Sequence, residues 1–297
     1  MNFFRINFIT ILTAGCLLSL ISALSGCKSE TDEHPTLVVS VEPQQAILEE
    51  IVGDRFNVVS VLQPGSNPET FEPTMKTRRE IDGAKAFFTT GNLPFEEMLS
   101  ASLPEGVMEV NVTTGITPLY GTHGHSHGHG HDHGHGEAEV DPHVWASVKN
   151  ARVIARNMFD AVLTLDPAGE MYYRPRYEAL DNRLDSLDLV FSAQLSAPIM
   201  IRSFVVWHPS LSYLARDYGL EQISVGFENK EMPASHLAKI IDEAKMDAVK
   251  VFFFQQEYDS RQAETLNERM GTRLVTINPR AYEWEKELKK VVDALSR

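Results

Sequence analysis

Cysteine is almost missing from this chain of 297 residues: there are two, Cys16 and Cys27, both close to the start. Beyond Cys27 no thiol is available, so the remainder carries no internal disulfide, no thiolate ligand and no cysteine nucleophile. Positive charge is also short. Lys and Arg total 27 against 41 Asp and Glu, a formal net charge of −14, which argues against a nucleic-acid partner and mildly favours cationic ligands. No His-Glu-x-x-His segment occurs, nor any other cluster with an obvious general base, so the signature of a helical zinc protease is absent.

What is present begins with a targeting pattern. Arg5 is the only charged side chain ahead of a largely apolar run, Ile6 to Leu24, which ends in Leu24-Ser25-Gly26-Cys27. Small residues just before a cysteine resemble the bacterial lipobox, in which the cysteine is lipidated. On this reading residues 1–26 are a lipoprotein signal peptide and Cys27 is the lipidation site. An ordinary secretory signal or a membrane-spanning helix is the alternative. Cys16, after Thr13-Ala14-Gly15, fits the lipobox less well. Lipid gives an anchor and not a span, so the protein is expected on a membrane outside the cytoplasm. Residues 27–35 are polar and read as a flexible tether.

From Thr36 onward strand and helix signals alternate, the pattern of α/β architecture with mainly parallel sheets. Strands are expected over Thr36–Val41, Asn57–Leu62, Ala86–Thr90 and Met108–Val112, with helices between them. Residues 36–146 thus form an N-terminal α/β lobe. Two long helical patterns follow without a strand between them. Val148, Ala151, Ile154, Ala155, Met158 and Val162 recur at helical spacing, and so do Tyr177, Leu180, Leu184, Leu187, Phe191 and Leu195. Residues 147–197 therefore read as a rigid helical connector. The alternation resumes over 198–297, with strands at Phe204–Trp207, Gln222–Val225, Val249–Phe254 and Leu274–Ile277, and helices expected over Pro209–Tyr218 and Ser235–Lys245. Two lobes joined by a long connecting helix create one natural site, the cleft between them.

The most conspicuous local feature is a low-complexity loop, residues 122–136. His123, His125, His127, His129, His131, His133 and His135 alternate mostly with glycine. Neutral imidazole suits zinc, copper and nickel, and glycine lets several rings converge on one ion. Ordering such a loop costs roughly 1–2 kcal/mol per residue, so it reads as auxiliary, weak metal capture and not as a selective site.

Three other places sit at strand ends or helix starts, where open α/β sheets bind ligands. They are the Pro-bounded loop Pro64-Gly65-Ser66-Asn67-Pro68-Glu69-Thr70-Phe71-Glu72-Pro73, the segment Asp141-Pro142-His143-Val144-Trp145, and Trp207-His208 at the end of an apolar strand. Taken singly, Glu69 reads as a surface charge, His143 as a capping or packing residue, and His208 as a residue facing the cleft.

Together these segments resemble the zinc- and manganese-binding solute-binding proteins of bacterial ABC transporters, over essentially the whole chain after the tether. The family's Pro-Gly-x-x-Pro-His-x-Tyr-Glu-Pro is similar to Pro64–Pro73, with Glu69 where histidine is usual. Its Asp-Pro-His-x-Trp matches Asp141–Trp145. Its Phe-His-x-x-x-x-Tyr segment, ending Tyr-Gly-Leu, is similar to Trp207-His208 through Tyr213, Tyr218, Gly219 and Leu220, and Glu231-Met232-Pro233 looks like its Glu-Pro-Ser element. The resemblance implies Glu69, His143 and His208 as metal ligands. It implies Zn2+ as the transported ion, with Mn2+ the less favoured alternative, a permease and an ATPase as partners, a monomer, and only modest lobe closure. The family's last acidic ligand falls near Asn278, a poor zinc ligand. Asn278, Gln255, Glu257, a tract histidine or water is left to complete the shell.

A glutamate oxygen at about 2.0–2.2 Å is acceptable to zinc, though it moves the site toward harder metals. Two competing readings remain: a metallohydrolase, because two His, one Glu and an open position also describe catalytic zinc, and a surface adhesin or metal chaperone of the same fold. His34 and His236 read as surface residues, Glu228 and Glu231 as outer partners of the site or as acidic surface, and Trp145, Trp207 and Trp284 as packing anchors.

Overall fold

A computed structural model describes residues 34–68, 70–120, 140–196, 202–226, 233–256, 258 and 260–296. Outside them lie Cys16 and Cys27, Glu69, all seven histidines of the tract, Glu228, Glu231, Met232 and Glu257.

The first lobe has strands β1 (Thr36–Val39), β2 (Asn57–Ser60), β3 (Ala86–Thr89) and β4 (Met108–Asn111). Helices α1 (Glu42–Val52), α2 (Met75–Asp82) and α3 (Pro94–Ser100) connect them. The second lobe has β5 (Ser203–Val206), β6 (Glu221–Ser224), β7 (Val251–Gln255) and β8 (Arg273–Ile277). All the pairings are parallel, and the strand orders are β2-β1-β3-β4 and β6-β5-β7-β8. The two lobes therefore repeat one topology. Such sheets are covered on both faces, which is why β3 (Ala-Phe-Phe-Thr) and β7 (Val-Phe-Phe-Phe-Gln) are buried throughout and show no alternation. Each sheet reverses its winding between its first and third strands, so ligands are expected at the carboxyl ends of β1 and β3 and of β5 and β7.

Between the lobes run α4 (Val148–Leu165) and α5 (Glu170–Leu195), separated by the short turn Pro167–Gly169. Ser147 starts α4 by accepting a hydrogen bond from the Asn150 N–H at 3.1 Å. Helix α5 begins at Glu170, seven residues before the apolar pattern at Tyr177, and contains Pro175. Proline only removes one backbone bond near the start of so long a helix. Phe159 of α4 stacks on Tyr177 of α5, with ring centroids 4.5 Å apart. The principal core is continuous from the first sheet through α4 and α5 to Phe204, Val206 and Phe253, and a second core around Val205, Phe252 and Phe254 lies on the other side of the second sheet.

The second lobe is completed by α6 (Ser212–Tyr218), α7 (Ala234–Met246), α8 (Ser260–Met270) and α9 (Trp284–Leu295). Gly219 ends α6 in the left-handed region at φ 64°, a conformation that favours glycine. Helix α6 starts later than the sequence pattern at Pro209 indicates, because the preceding residues form a separate turn in which the Ser210 N–H donates to the His208 carbonyl at 2.7 Å.

Polar ties pin the lobes to one another. Arg183 of α5 makes a bidentate pair with Glu50 of α1, both bonds 2.7 Å, and also reaches Glu285 of α9 at 2.8 Å. Tyr282 donates to Glu49 at 2.5 Å. Elsewhere, Arg216 of α6 donates to the Thr117 carbonyl at 2.9 Å and to Asn150 at 3.0 Å. Among the described residues no helix is long and apolar enough to cross a membrane.

Candidate metal centre

His143 stands on the short segment between Val140 and α4. Val140 forms an antiparallel bridge with Tyr120, and the Asp141 N–H donates to the Leu119 carbonyl at 2.8 Å. Residues 120 and 140 are thus neighbours, so the segment that carries the histidine tract starts and ends beside Asp141. The Asp141 Oδ1 accepts the His143 main-chain N–H at 2.9 Å and faces the His143 Nδ1 at 2.8 Å. With Nδ1 protonated toward this carboxylate, Nε2 carries the lone pair, which is the tautomer a metal needs. Burial pushes the Asp141 carboxyl up, but His143 and the Ser212 hydroxyl outweigh it, and the net shift is downward. Tyr213 of α6 donates to the Asp141 carbonyl at 2.9 Å and accepts the Leu119 N–H at 3.2 Å, which fastens this segment to the second lobe. The Trp145 ring, 1% exposed, meets the His143 ring edge to face at 5.4 Å.

His208 follows β5. Its Nε2 lies 3.2 Å from the Nε2 of His143, and the two rings are tilted by 71°. Two zinc–nitrogen bonds of 2.0–2.1 Å at a tetrahedral angle set the nitrogens about 3.3–3.4 Å apart. The pair is therefore close to the spacing that one zinc ion requires. Burial first, then His143 and Arg280, lowers the His208 pKa to about 3, which keeps the imidazole neutral and able to ligate. The Tyr258 ring stacks on His208 at 5.8 Å. Arg280, buried in the turn after β8, acts electrostatically on His208 and on Glu42 at the start of α1. The turn thus places a fixed positive charge near the site.

Two residues expected as alternative ligands are engaged elsewhere. The Gln255 amide bonds both main-chain groups of His208 and the Ser210 hydroxyl. The Asn278 Oδ1 accepts the Arg280 N–H at 3.3 Å and closes its own turn. Among the described residues no three His, Cys, Asp or Glu side chains form a metal-holding group, so the described part of the site is a pair of imidazoles. Phe71, two positions after Glu69, packs edge to face on Phe95 of α3 at 5.3 Å, which seats the loop on the first lobe. His236 faces the Val225 carbonyl at 2.9 Å, and His34 is exposed. Trp145 and Trp284 are buried in the core. Trp207 is half-buried against Phe252 and Phe254.

Sequence reasoning passed over Asp141, Tyr213, Tyr258 and Arg280. Asp141 was the most accessible, since a carboxylate two residues before a ligand histidine is a recurrent way to orient the ring. Tyr213 lies within the family-like segment, whereas Tyr258 and Arg280 reach the site only through the fold.

Two α/β lobes of like topology, with one histidine from each meeting at an Nε2–Nε2 distance of 3.2 Å, have the architecture of a solute-binding protein. Residues 37–295 match the family described as zinc-uptake complex component A, periplasmic (ZnuA), and the chain belongs to that family. It is 29% identical over 262 residues to the high-affinity zinc uptake system protein ZnuA of Bacillus subtilis, covering 86% of this chain and 82% of the relative. It is 26% identical over 274 residues to the zinc-binding lipoprotein AdcA of Streptococcus pneumoniae; the match covers 91% of this chain but 54% of AdcA, which is much longer. A solved zinc-bound deletion mutant of ZnuA superposes with a TM-score of 0.76 at 28% identity, covering 89% of this chain and 98% of that one.

Proposed function

We propose that this protein is the extracytoplasmic receptor of an ABC importer, that it captures Zn2+ between its lobes, and that it passes the ion to a membrane permease powered by an ATPase. The family is one of solute-binding transport proteins, and the named relatives bind or import zinc. The observation that carries the reading is the His143–His208 pair, brought from two lobes to an Nε2–Nε2 distance of 3.2 Å. Imidazole favours zinc over manganese, so Mn2+ is the weaker cargo.

His143 and His208 are the two nitrogen ligands, and Glu69 is the oxygen ligand. Water, Glu257 or a histidine of the tract fills the remaining position. The tract captures zinc loosely and, rooted beside Asp141, hands it to the cleft. Cys27 carries the lipid, which holds a monomer at the membrane face where the permease is met. We read the protein as a carrier and not a catalyst, since the family is one of solute-binding transport proteins, whereas a hydrolase needs a general base beside its metal-bound water.

Competition for zinc between the metal-free protein and a chromophoric chelator tests the reading. One tight equivalent that depends on both His143 and His208, above a set of weak equivalents that disappear with residues 122–136, is the expected result. Loss of the tight equivalent along with the tract would make the tract the principal site.

A further inference from the structure

We infer that Gln255 is a positioning residue that fixes His208 in its metal-binding pose, and that it does not itself ligate the ion. The inference rests on the reading of His208 as a ligand. Gln255 is the last residue of β7 and is 1% exposed. Strands β5 and β7 pair in parallel, and the ladder's last backbone bond runs from the Trp207 N–H to the Phe253 carbonyl at 2.9 Å. One residue further on, the chain of β5 turns out of the sheet, and a side chain takes over from the ladder. The Gln255 Oε1 accepts the His208 N–H at 3.2 Å, and its Nε2 donates to the His208 carbonyl at 2.7 Å and to the Ser210 hydroxyl at 2.7 Å.

This arrangement needs a primary amide. It must accept from one main-chain group and donate to the next, and of the side chains at this length only glutamine offers both functions without charge. Asparagine is one methylene too short, and methionine matches the volume with neither function. With its main chain held at both polar groups, His208 retains freedom only about its two side-chain torsions. Tyr258 stacks on the ring, and His143 meets its Nε2. The spacing of the two imidazoles is thus set before an ion arrives. One lone pair of Oε1 is taken by the His208 N–H, and turning the amide to aim Oε1 at an ion would pull Nε2 from its two acceptors. The clamping role therefore opposes any ligating role that requires such a turn.

The two roles differ most when no metal is present. In the metal-free full chain, protected downfield imidazole N–H resonances in proton NMR report the Asp141–His143 and His143–His208 hydrogen bonds, and the spectrum of a chain lacking residues 122–136 assigns them to this pair. Gln255→Met should abolish the His143–His208 resonance, leave the Asp141–His143 one, and weaken the tightest zinc equivalent by about 10–100-fold. X-ray absorption of the zinc-loaded variant should find the same number of nitrogen and oxygen donors as in the parent. Unchanged resonances together with one donor fewer would make Gln255 a ligand, and unchanged resonances with unchanged affinity would make it a bystander; either overturns the inference. If Gln255→Met fails to fold, Gln255→Asn is read by the same three measurements, with the same outcomes. His208→Ala separates the two levels. An unaltered tight equivalent there removes the site reading and this inference with it, whereas a lost one leaves Gln255 to be judged on its own variants.

Discussion

The Nε2 atoms of His143 and His208 lie 3.2 Å apart although 65 positions separate the two residues in sequence and they belong to different lobes. An ion between them ties the lobes and binds only the folded chain, so zinc should raise stability by about 2.7 kcal/mol when free zinc is a hundredfold above the dissociation constant. Either His143→Ala or His208→Ala should weaken the tight equivalent by at least about 100-fold, and at the same free zinc the gain should fall to roughly 0.4 kcal/mol. Thermal melts across a zinc-buffered series check both figures. Undiminished stabilisation in either variant would remove that histidine from the shell.

Asp141 should matter nearly as much as a ligand without touching the ion. Its carboxylate receives the His143 Nδ1–H at 2.8 Å and so selects the tautomer with Nε2 open. Asp141→Ala should lower zinc affinity about 10–100-fold, and Asp141→Asn, which keeps an acceptor but loses the charge, should lower it less. Chelator competition measures both. Equal effects would mean that the charge alone holds the ring and that a neutral acceptor contributes nothing.

Replacing Glu69 tests the oxygen ligand. Glu69→Ala should weaken zinc binding in the tight site, whereas Glu69→His should keep or tighten zinc and weaken manganese, because nitrogen replaces a harder oxygen. Paired zinc and manganese titrations give the ratio directly. Zinc affinity unaltered by Glu69→Ala would return that residue to the surface.

Acid should destabilise the metal-free protein in a defined window. The His208 pKa falls from its ordinary 6.5 to about 3 in the folded state, so between those values the unfolded chain binds the extra proton. The contribution is complete above pH 6.5 and is lost as pH falls toward 3, at up to about 1.4 kcal/mol per pH unit. Asp141, lowered from 3.8, adds a further loss only at the acid end. Denaturant titrations from pH 8 down to pH 4 should show the slope, and His208→Gln should flatten it.

The ties distant from the metal centre make a separate prediction. Arg183 is exposed, so its pairs with Glu50 and Glu285 are worth at most about 1 kcal/mol and weaken in salt. Arg183→Ala combined with Tyr282→Phe should cost little stability yet widen the difference in solution scattering between the zinc-free and zinc-loaded protein. Identical scattering differences in parent and variant would show that these ties do not restrain the lobes.

Much of the fold was legible because parallel sheets and connector helices announce themselves locally. Val-Phe-Phe-Phe at β7 is apolar without alternation, and Leu180, Leu184, Phe191 and Leu195 keep helical spacing through α5. The early start of α5 was hidden because its first residues are largely exposed, as Met171 is at 88%, and leave no apolar pattern. His208 is readable at the end of an apolar strand, whereas His143 alone reads as a capping or packing residue and becomes a candidate ligand only through the resemblance of Asp141–Trp145 to the family motif. Gln255 and Arg280 were harder to read. Their chemistry depends on which strand lies beside which, and strand order is not written in any short stretch of residues.

The pins on the lobes bear on how a transporter recognises its carrier. A receptor that folds shut around its solute advertises loading through its outline, and a docking partner need only recognise the closed form. Here Arg183 joins α1 to α9 through α5, and Tyr213 fastens the His143 segment to the opposite lobe. Were these ties to keep the outline constant as the cleft fills, full and empty carriers would compete for one dock on almost equal terms. Discrimination between them would then fall to the rim of the cleft, and an excess of empty carriers would act as an inhibitor of uptake.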